Sequence, residues 1–185
     1  MLTKYETDRL ILKILTQDSC NSVLRFYKDN QNIFEPLNPV SQENYYTANY
    51  QRSVLTIEYD NFIKGSGVRF YVYTKTNPLK IIGTISFTEI KRNFSFSAIL
   101  GYRFGEQYHH QGFASESVKK AVEIMFYEEH LHRIEAYIQP ENIPSKKLVT
   151  KLGFEYEGIC YSHTIIQNNW CDMERYALIS TDLHQ

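Results

Sequence analysis

Apolar and polar positions recur along this chain with two periods, and the junctions between them mark out its elements. From Phe94 to Phe104, apolar residues stand at Phe94, Phe96, Ala98, Leu100, Tyr102 and Phe104, every second position, which predicts a strand that includes Phe94-Ser95-Phe96-Ser97. Downstream, Ala114, Val118, Ala121, Val122, Met125 and Phe126 recur at three- and four-residue spacing, one face of a helix. Between the two lies Tyr108-His109-His110-Gln111-Gly112-Phe113-Ala114, a turn that opens the helix at a glycine with small Ala114 and Ser115 behind it. Small residues leave the first N–H groups of the helix uncovered. Those groups lack intrahelical partners at the positive end of the macrodipole, so they favour an anion such as phosphate.

The same reading covers the rest of the chain. Arg9 to Ile14 is a first strand, and Thr16-Gln17-Asp18-Ser19 starts a helix through Val23, Leu24 and Tyr27. Gln42 to Ile63 reads as mainly helical. Val68 to Tyr73 and Lys80 to Glu89 are adjacent strands around a turn at Thr76-Asn77-Pro78, and Arg133 to Gln139 is a further strand. In Pro140-Glu141-Asn142-Ile143-Pro144-Ser145, Asn142 is an N-cap and Pro144 sits in the first turn, where a missing N–H is harmless. Leu148, Val149 and Leu152 give that helix its apolar face, and Gly153 ends it. Glu155 to Ile166 and Trp170 to Ile179 form a hairpin across Gln167-Asn168-Asn169, where asparagine tolerates positive φ. No repeat, low-complexity segment or linker interrupts this order. It predicts an α/β sandwich with a mixed sheet of six or seven strands and about four helices.

Composition narrows the picture. At 185 residues and 43% hydrophobic content, residues 1–185 can bury one sizeable core as a single domain. A formal net charge of −1 with no long basic run argues against nucleic acid as a partner. No apolar stretch is long enough to span a bilayer, and Met1-Leu2-Thr3-Lys4 does not lead into a signal-peptide core. Cys20, Cys160 and Cys171 share no metal or disulfide spacing, which fits a reducing, cytoplasmic setting. His109-His110 and His130-Leu131-His132 lack metal-ligand spacing, so no metal is expected. The 15 tyrosines read as amphipathic packing, with Tyr45, Tyr46 and Tyr50 as candidates to line a cleft.

In this order, the glycine turn, Pro140-Glu141-Asn142-Ile143-Pro144-Ser145, Leu152-Gly153-Phe154, Glu157-Gly158 and the last strand Asp172 to Leu178 resemble the GCN5-related N-acetyltransferase (GNAT) family. Within it the resemblance is to the ribosomal-protein N-terminal acetyltransferase-like branch, and it runs from Thr7-Asp8-Arg9-Leu10-Ile11-Leu12 to Leu178. It implies the GNAT fold, a central mixed and mostly antiparallel sheet flanked by helices. The family's coenzyme A loop has the form Q/R-x-x-G-x-G/A. His109 to Ala114 lies on it, with His109 where Gln, Arg or Trp is usual and His110 where glycine is common, while Gly112 and Ala114 are intact.

The resemblance further implies acetyl-coenzyme A as donor, its pantetheine arm lying along the strand Ile99-Leu100-Gly101-Tyr102-Arg103. Gly101 suits that close approach, because a strand glycine permits a bulge or a near backbone. A backbone N–H of this strand would polarise the thioester carbonyl. The pyrophosphate would rest on the backbone of His110, Gln111, Gly112, Phe113, Ala114 and Ser115, with His109 also in the cofactor site. By the same resemblance Ser145 is the acid that protonates the leaving thiolate, and Asn142 belongs to the same cofactor site. Both residues also suit simple capping of a helix N-terminus. For the general base, Glu89 and His163 are candidates by residue type alone, with Glu106 a third.

Three functions remain open: acetylation of a protein N-terminal α-amine, as of a ribosomal protein; acetylation of a small amine such as an antibiotic, polyamine or amino acid; and non-catalytic binding of an acyl-coenzyme A. The acceptor cleft would be built from 30–64 and the late hairpin, where Glu43, Glu58 and Asp60 are too scattered to make an acidic groove. Oligomeric state is not legible.

Overall fold

The computed structural model describes residues 1–37 and 44–181. Among them eight strands form one sheet: β1 (Lys4–Glu6), β2 (Leu10–Lys13), β3 (Val68–Thr74), β4 (Asn77–Lys91), β5 (Ser97–Phe104), β6 (Arg133–Ile138), β7 (Glu155–Ile166) and β8 (Asn169–Ile179). Five α-helices accompany them: α1 (Cys20–Asp29), α2 (Gln31–Phe34), α3 (Ala48–Lys64), α4 (Phe113–Tyr127) and α5 (Ile143–Lys151). The strands lie in the order β1-β2-β3-β4-β5-β6-β8-β7. Neighbours are antiparallel except β5 and β6, which run parallel and are joined through α4.

Each face of the sheet has its own core. On one, Leu10, Leu12, Phe70, Val72, Ile85, Phe87, Leu100 and Ile134 pack with Val118, Ala121 and Met125 of α4 and Val149 of α5. On the other, Ile11, Tyr71, Tyr73 and Ile81 pack with Val23, Phe26 and Tyr27 of α1, Phe34 of α2 and Leu55 of α3. A central strand buried on both faces should read as a nearly continuous apolar run, as Val68 to Tyr73 does. α4 follows its periodicity, with Val118, Ala121 and Met125 all fully buried. None of the described helices is long and apolar enough to cross a membrane.

Several expectations need correction. The sheet gains β1, three residues with only Tyr5 buried, too short for alternation to reveal. The first long strand is Leu10–Lys13, narrower than Arg9 to Ile14. The strand expected from Phe94 begins only at Ser97; Phe94 is 98% exposed and Phe96 takes φ +43, so Phe94 to Phe96 is a loop whose alternation was coincidental. α3 starts at Ala48 behind an N-cap at Thr47, whose side chain accepts from the Tyr50 N–H at 3.2 Å; Gln42 and Glu43 lie outside the described residues. The β3–β4 turn is at 75–76, and Asn77 and Pro78 already belong to β4. The late hairpin turns on Gln167 and Asn168 alone (φ +47 and +62), a two-residue turn with both residues left-handed, and Asn169 opens β8.

Candidate active site

β5 and β6 are paired only from Ser97↔Arg133 to Leu100↔Ala136. Beyond that point β5 stays with β4, Gly101 opposite Ser86 and Arg103 opposite Thr84, while β6 stays with β8, Tyr137 opposite Arg175. The two strands therefore part in mid-sheet. Among the described residues no strand pairs with β5 on that side from Gly101 onward, the kind of edge an extended ligand can pair with.

The turn after β5 lies at the same end of the sheet. Gly112 is the N-cap of α4 at φ +78, a left-handed conformation that glycine adopts without steric penalty. The first intrahelical bond runs from the Glu116 N–H to the Gly112 carbonyl at 3.0 Å, so the N–H groups of Phe113, Ala114 and Ser115 lie before it. His110 takes φ +60, which accounts for glycine being common at that place in the family. The His109 ring turns back, its Nε2–H donating to the Phe104 carbonyl at 3.0 Å, and Gln111 Nε2 donates to the Gln107 carbonyl at 2.7 Å. Both imidazoles are exposed.

Arg9, which the sequence reading passed over, holds this loop from outside. Its Nη1 donates to the Gln111 carbonyl at 3.1 Å and its Nε to Glu116 Oε2 at 2.7 Å, and its guanidinium lies 4.7 Å from the Phe113 ring centre. Glu116 Oε1 also accepts from the Thr7 hydroxyl at 2.5 Å and the Arg9 N–H at 3.0 Å. Burial pushes the Glu116 carboxyl up, but these donors outweigh it and hold it below the usual carboxylate range.

Across the gap stands α5. The Asn142 side chain caps it by accepting the Ser145 N–H at 3.1 Å, and Pro144 occupies the first turn. Tyr102, on β5 just past the parting, donates its hydroxyl to the Ser145 carbonyl at 3.3 Å; burial raises this phenol to about 12, against the lowering effect of the Ser145 side chain. Gly101, Tyr102 and Ser145 are thereby brought together.

Several long-range contacts lie beside the gap on the α1–α3 side of the sheet. Arg103 on β5 lies 5.8 Å from the Phe34 ring centre. The next carbonyl, that of Glu35, accepts from Gln167 Nε2 at the hairpin tip at 2.8 Å. Farther down the same hairpin, His163 stacks on Tyr137 of β6, ring centres 4.3 Å apart and planes 13° from parallel. Tyr137 donates to Glu135 at 2.8 Å, and Arg133 ties Glu135 to Glu157. Tyr45 packs against Tyr27, Tyr46 and Tyr50 beside Phe34, and Arg103 lies near enough to pull the Tyr45 and Tyr46 phenols down against the burial that raises them. Glu58 is neutralised by Arg69 at 2.5 Å and accepts the Tyr71 hydroxyl at 2.8 Å.

The proposed bases separate here. Glu89 lies past Thr88↔Ile99, at the end where β5 and β6 remain paired, exposed and 3.6 Å from Lys91. Glu106 is exposed in the short turn after β5. Glu89 is thus at the closed end, whereas His163 stacks on Tyr137 beside the parting. The contact partners Phe34, Glu35, Tyr137 and Gln167 carried no local signal, since each contact joins distant parts of the chain.

A mixed sheet parted between its two parallel strands, with a helix N-terminus beside the opening, is the arrangement that the GNAT resemblance implies for a coenzyme A thioester. The model of the family described as acetyltransferase (GNAT) domain matches residues 9–155, and the chain belongs to that family. It is 30% identical over 162 residues to the probable N-acetyltransferase YjcK of Bacillus subtilis, covering 88% of this chain and 89% of that protein. It is 28% identical over 177 residues to the [ribosomal protein uS5]-alanine N-acetyltransferase of Escherichia coli, covering 95% and 90%. The solved ribosomal-protein-S5-alanine acetyltransferase of Vibrio fischeri superposes with a TM-score of 0.91 at 24% identity, covering 98% of this chain and 99% of that one, a likeness of fold. The chain is an N-acetyltransferase with acetyl-coenzyme A as donor. The parted edge from Gly101 and the N–H groups at Gly112 to Ser115 fit an extended arm and a pyrophosphate.

Proposed function

We propose that this chain acetylates the α-amine of a protein N-terminus, a ribosomal protein being the substrate suggested by its relatives, in the cytoplasm. The observation that carries the reading is the set of contacts beside the gap, Arg103 on Phe34, Gln167 on Glu35 and His163 on Tyr137, which brings residues 34–35 and the late hairpin to that side of the sheet. An acceptor entering there would pass between residues 34–35 and the hairpin, which suits a slim, extended chain end better than a lysine on a folded surface.

The energetics support the same choice. An α-amine of pKa about 7.7–8.0 is roughly one-tenth neutral at pH 7, against about 0.04% for a lysine of pKa about 10.4. That difference of over two hundredfold is about 3 kcal/mol that a lysine-directed site would have to supply by desolvation or a strong base. His163, the exposed imidazole beside the gap, is the residue we assign to take the amine proton, in preference to Glu89. The β5 backbone at Gly101 and Tyr102 orients the donor and polarises its carbonyl, Asn142 caps α5 and so fixes Ser145, and Ser145 returns a proton to the departing thiolate sulfur.

The test offers peptides with free and with blocked N-termini, both containing lysine, and locates the acetyl group by mass spectrometry. Modification of free N-termini alone is expected. Lysine acetylation in the blocked peptides, or turnover only on small free amines, would reject the reading.

A further inference from the structure

We propose that Arg9 is a positioning residue for the pyrophosphate of the donor, acting through the Gln111–Gly112 peptide. The inference rests on the coenzyme loop described above and concerns a residue that lies a hundred positions upstream of it.

The Gln111 carbonyl accepts from Arg9 Nη1 at 3.1 Å. In a planar trans peptide the carbonyl and the following N–H point in opposite directions. Fixing the carbonyl toward Arg9 therefore turns the Gly112 N–H away from the guanidinium, free for an anion. Arg9 is itself held at three places: Nε on Glu116, its backbone N–H on Glu116, and its guanidinium face over Phe113. Glu116 and Phe113 belong to the first turn of α4, so Arg9 braces the loop against the helix it opens. A Cβ on Gly112 would stand 3.3 Å from Arg9 Nη2, which shows how closely the side chain lies along the turn.

Charge alone does not explain the arrangement. Glu116 sits 2.7 Å from Arg9 Nε and neutralises it, so the pair adds little net field at the loop. Geometry is what remains. An arginine can hold Glu116 and the Gln111 carbonyl at once with different nitrogens, whereas a lysine has one ammonium for both.

The experiment measures dissociation constants by calorimetry for coenzyme A, dephospho-coenzyme A and pantetheine, with the unsubstituted protein, Arg9→Lys and Arg9→Gln. Both variants should bind coenzyme A and dephospho-coenzyme A about tenfold more weakly and pantetheine unchanged, since only the first two carry the pyrophosphate. Equal loss with pantetheine would mean general damage to the site and would overturn the proposal. So would wild-type affinity in Arg9→Lys, which would make charge the agent. Loss with coenzyme A but not dephospho-coenzyme A would shift Arg9 to the 3′-phosphate and overturn it as well. If Arg9 variants do not fold, Glu116→Gln removes one tether and should show the same pattern with a smaller loss; no change there would count against the proposal. Failure of the unsubstituted protein to bind coenzyme A would instead strike the coenzyme loop itself.

Discussion

Tyr102 of β5 and Ser145 of α5 are joined across the parting of the sheet, the tyrosine hydroxyl donating to the serine carbonyl at 3.3 Å. This bond fixes the first turn of α5 against the strand edge along which the donor would lie. Tyr102→Phe keeps the ring and removes the bond. It should destabilise the fold by about 1 kcal/mol and lower turnover severalfold. Denaturation curves read beside initial rates check this; lost stability with unchanged turnover would leave Tyr102 a packing role only.

Ser145→Ala separates catalysis from capping, because Asn142 holds the Ser145 N–H and that bond survives in alanine. Stability should change little. If the hydroxyl protonates the thiolate, turnover should fall by about 10²–10⁴-fold. A thiol pKa near 8.5 favours the lower end of that range, since a thiolate is a tolerable leaving group near neutrality. Asn142→Ala should do the reverse at the level of stability, costing about 1 kcal/mol through the lost cap.

Gly112 stands at φ +78, where a β-branched residue is strained. Coenzyme A at about 100 times its dissociation constant should add roughly 2.7 kcal/mol to the unsubstituted protein, seen as a higher melting temperature. Gly112→Val should remain folded and lose that rise. A protein that shows no rise with millimolar coenzyme A would contradict the donor site.

Acid should weaken the Thr7–Arg9–Glu116 clamp. Burial pushes the Glu116 carboxyl up, but the Thr7 hydroxyl, the Arg9 N–H and the guanidinium hold it below its ordinary 4.5 in the folded protein. The unfolded chain then binds the proton first, so the clamp's stabilisation is present above about pH 4.5. It is lost as pH falls through the lower folded value. Wild type and Glu116→Gln should differ most near neutrality and converge on acidification, measured by denaturation at each pH.

Much of this protein could be read directly from residue order. The α4 face, the Asn142 cap and the hairpin between Glu155 and Ile179 follow from spacing and turn chemistry, which act over a few residues and need no partner. Gly112 was legible for the same reason, as a conformational requirement written in one residue. Phe94 and Phe96 mark the limit of such reading: alternation predicts a strand, but only a ladder with a neighbouring strand makes one, and the ladders of β5 begin at Ser97.

What lay beyond the sequence depended on which distant surfaces meet. β5 and β6 separate after Leu100↔Ala136 because each stays paired with its other neighbour, a property of the whole sheet's register. Glu89 and His163 looked alike as bases until the register put one at the closed end and the stack on Tyr137 put the other beside the gap. Arg9 reaches Gln111 and Gln167 reaches Glu35 across separations of 102 and 132 residues. Local sequence specifies a turn or a helix face through short-range sterics and periodicity. The Arg9 clamp on the turn before α4 and the contacts beside the gap arise only when folding brings remote side chains together.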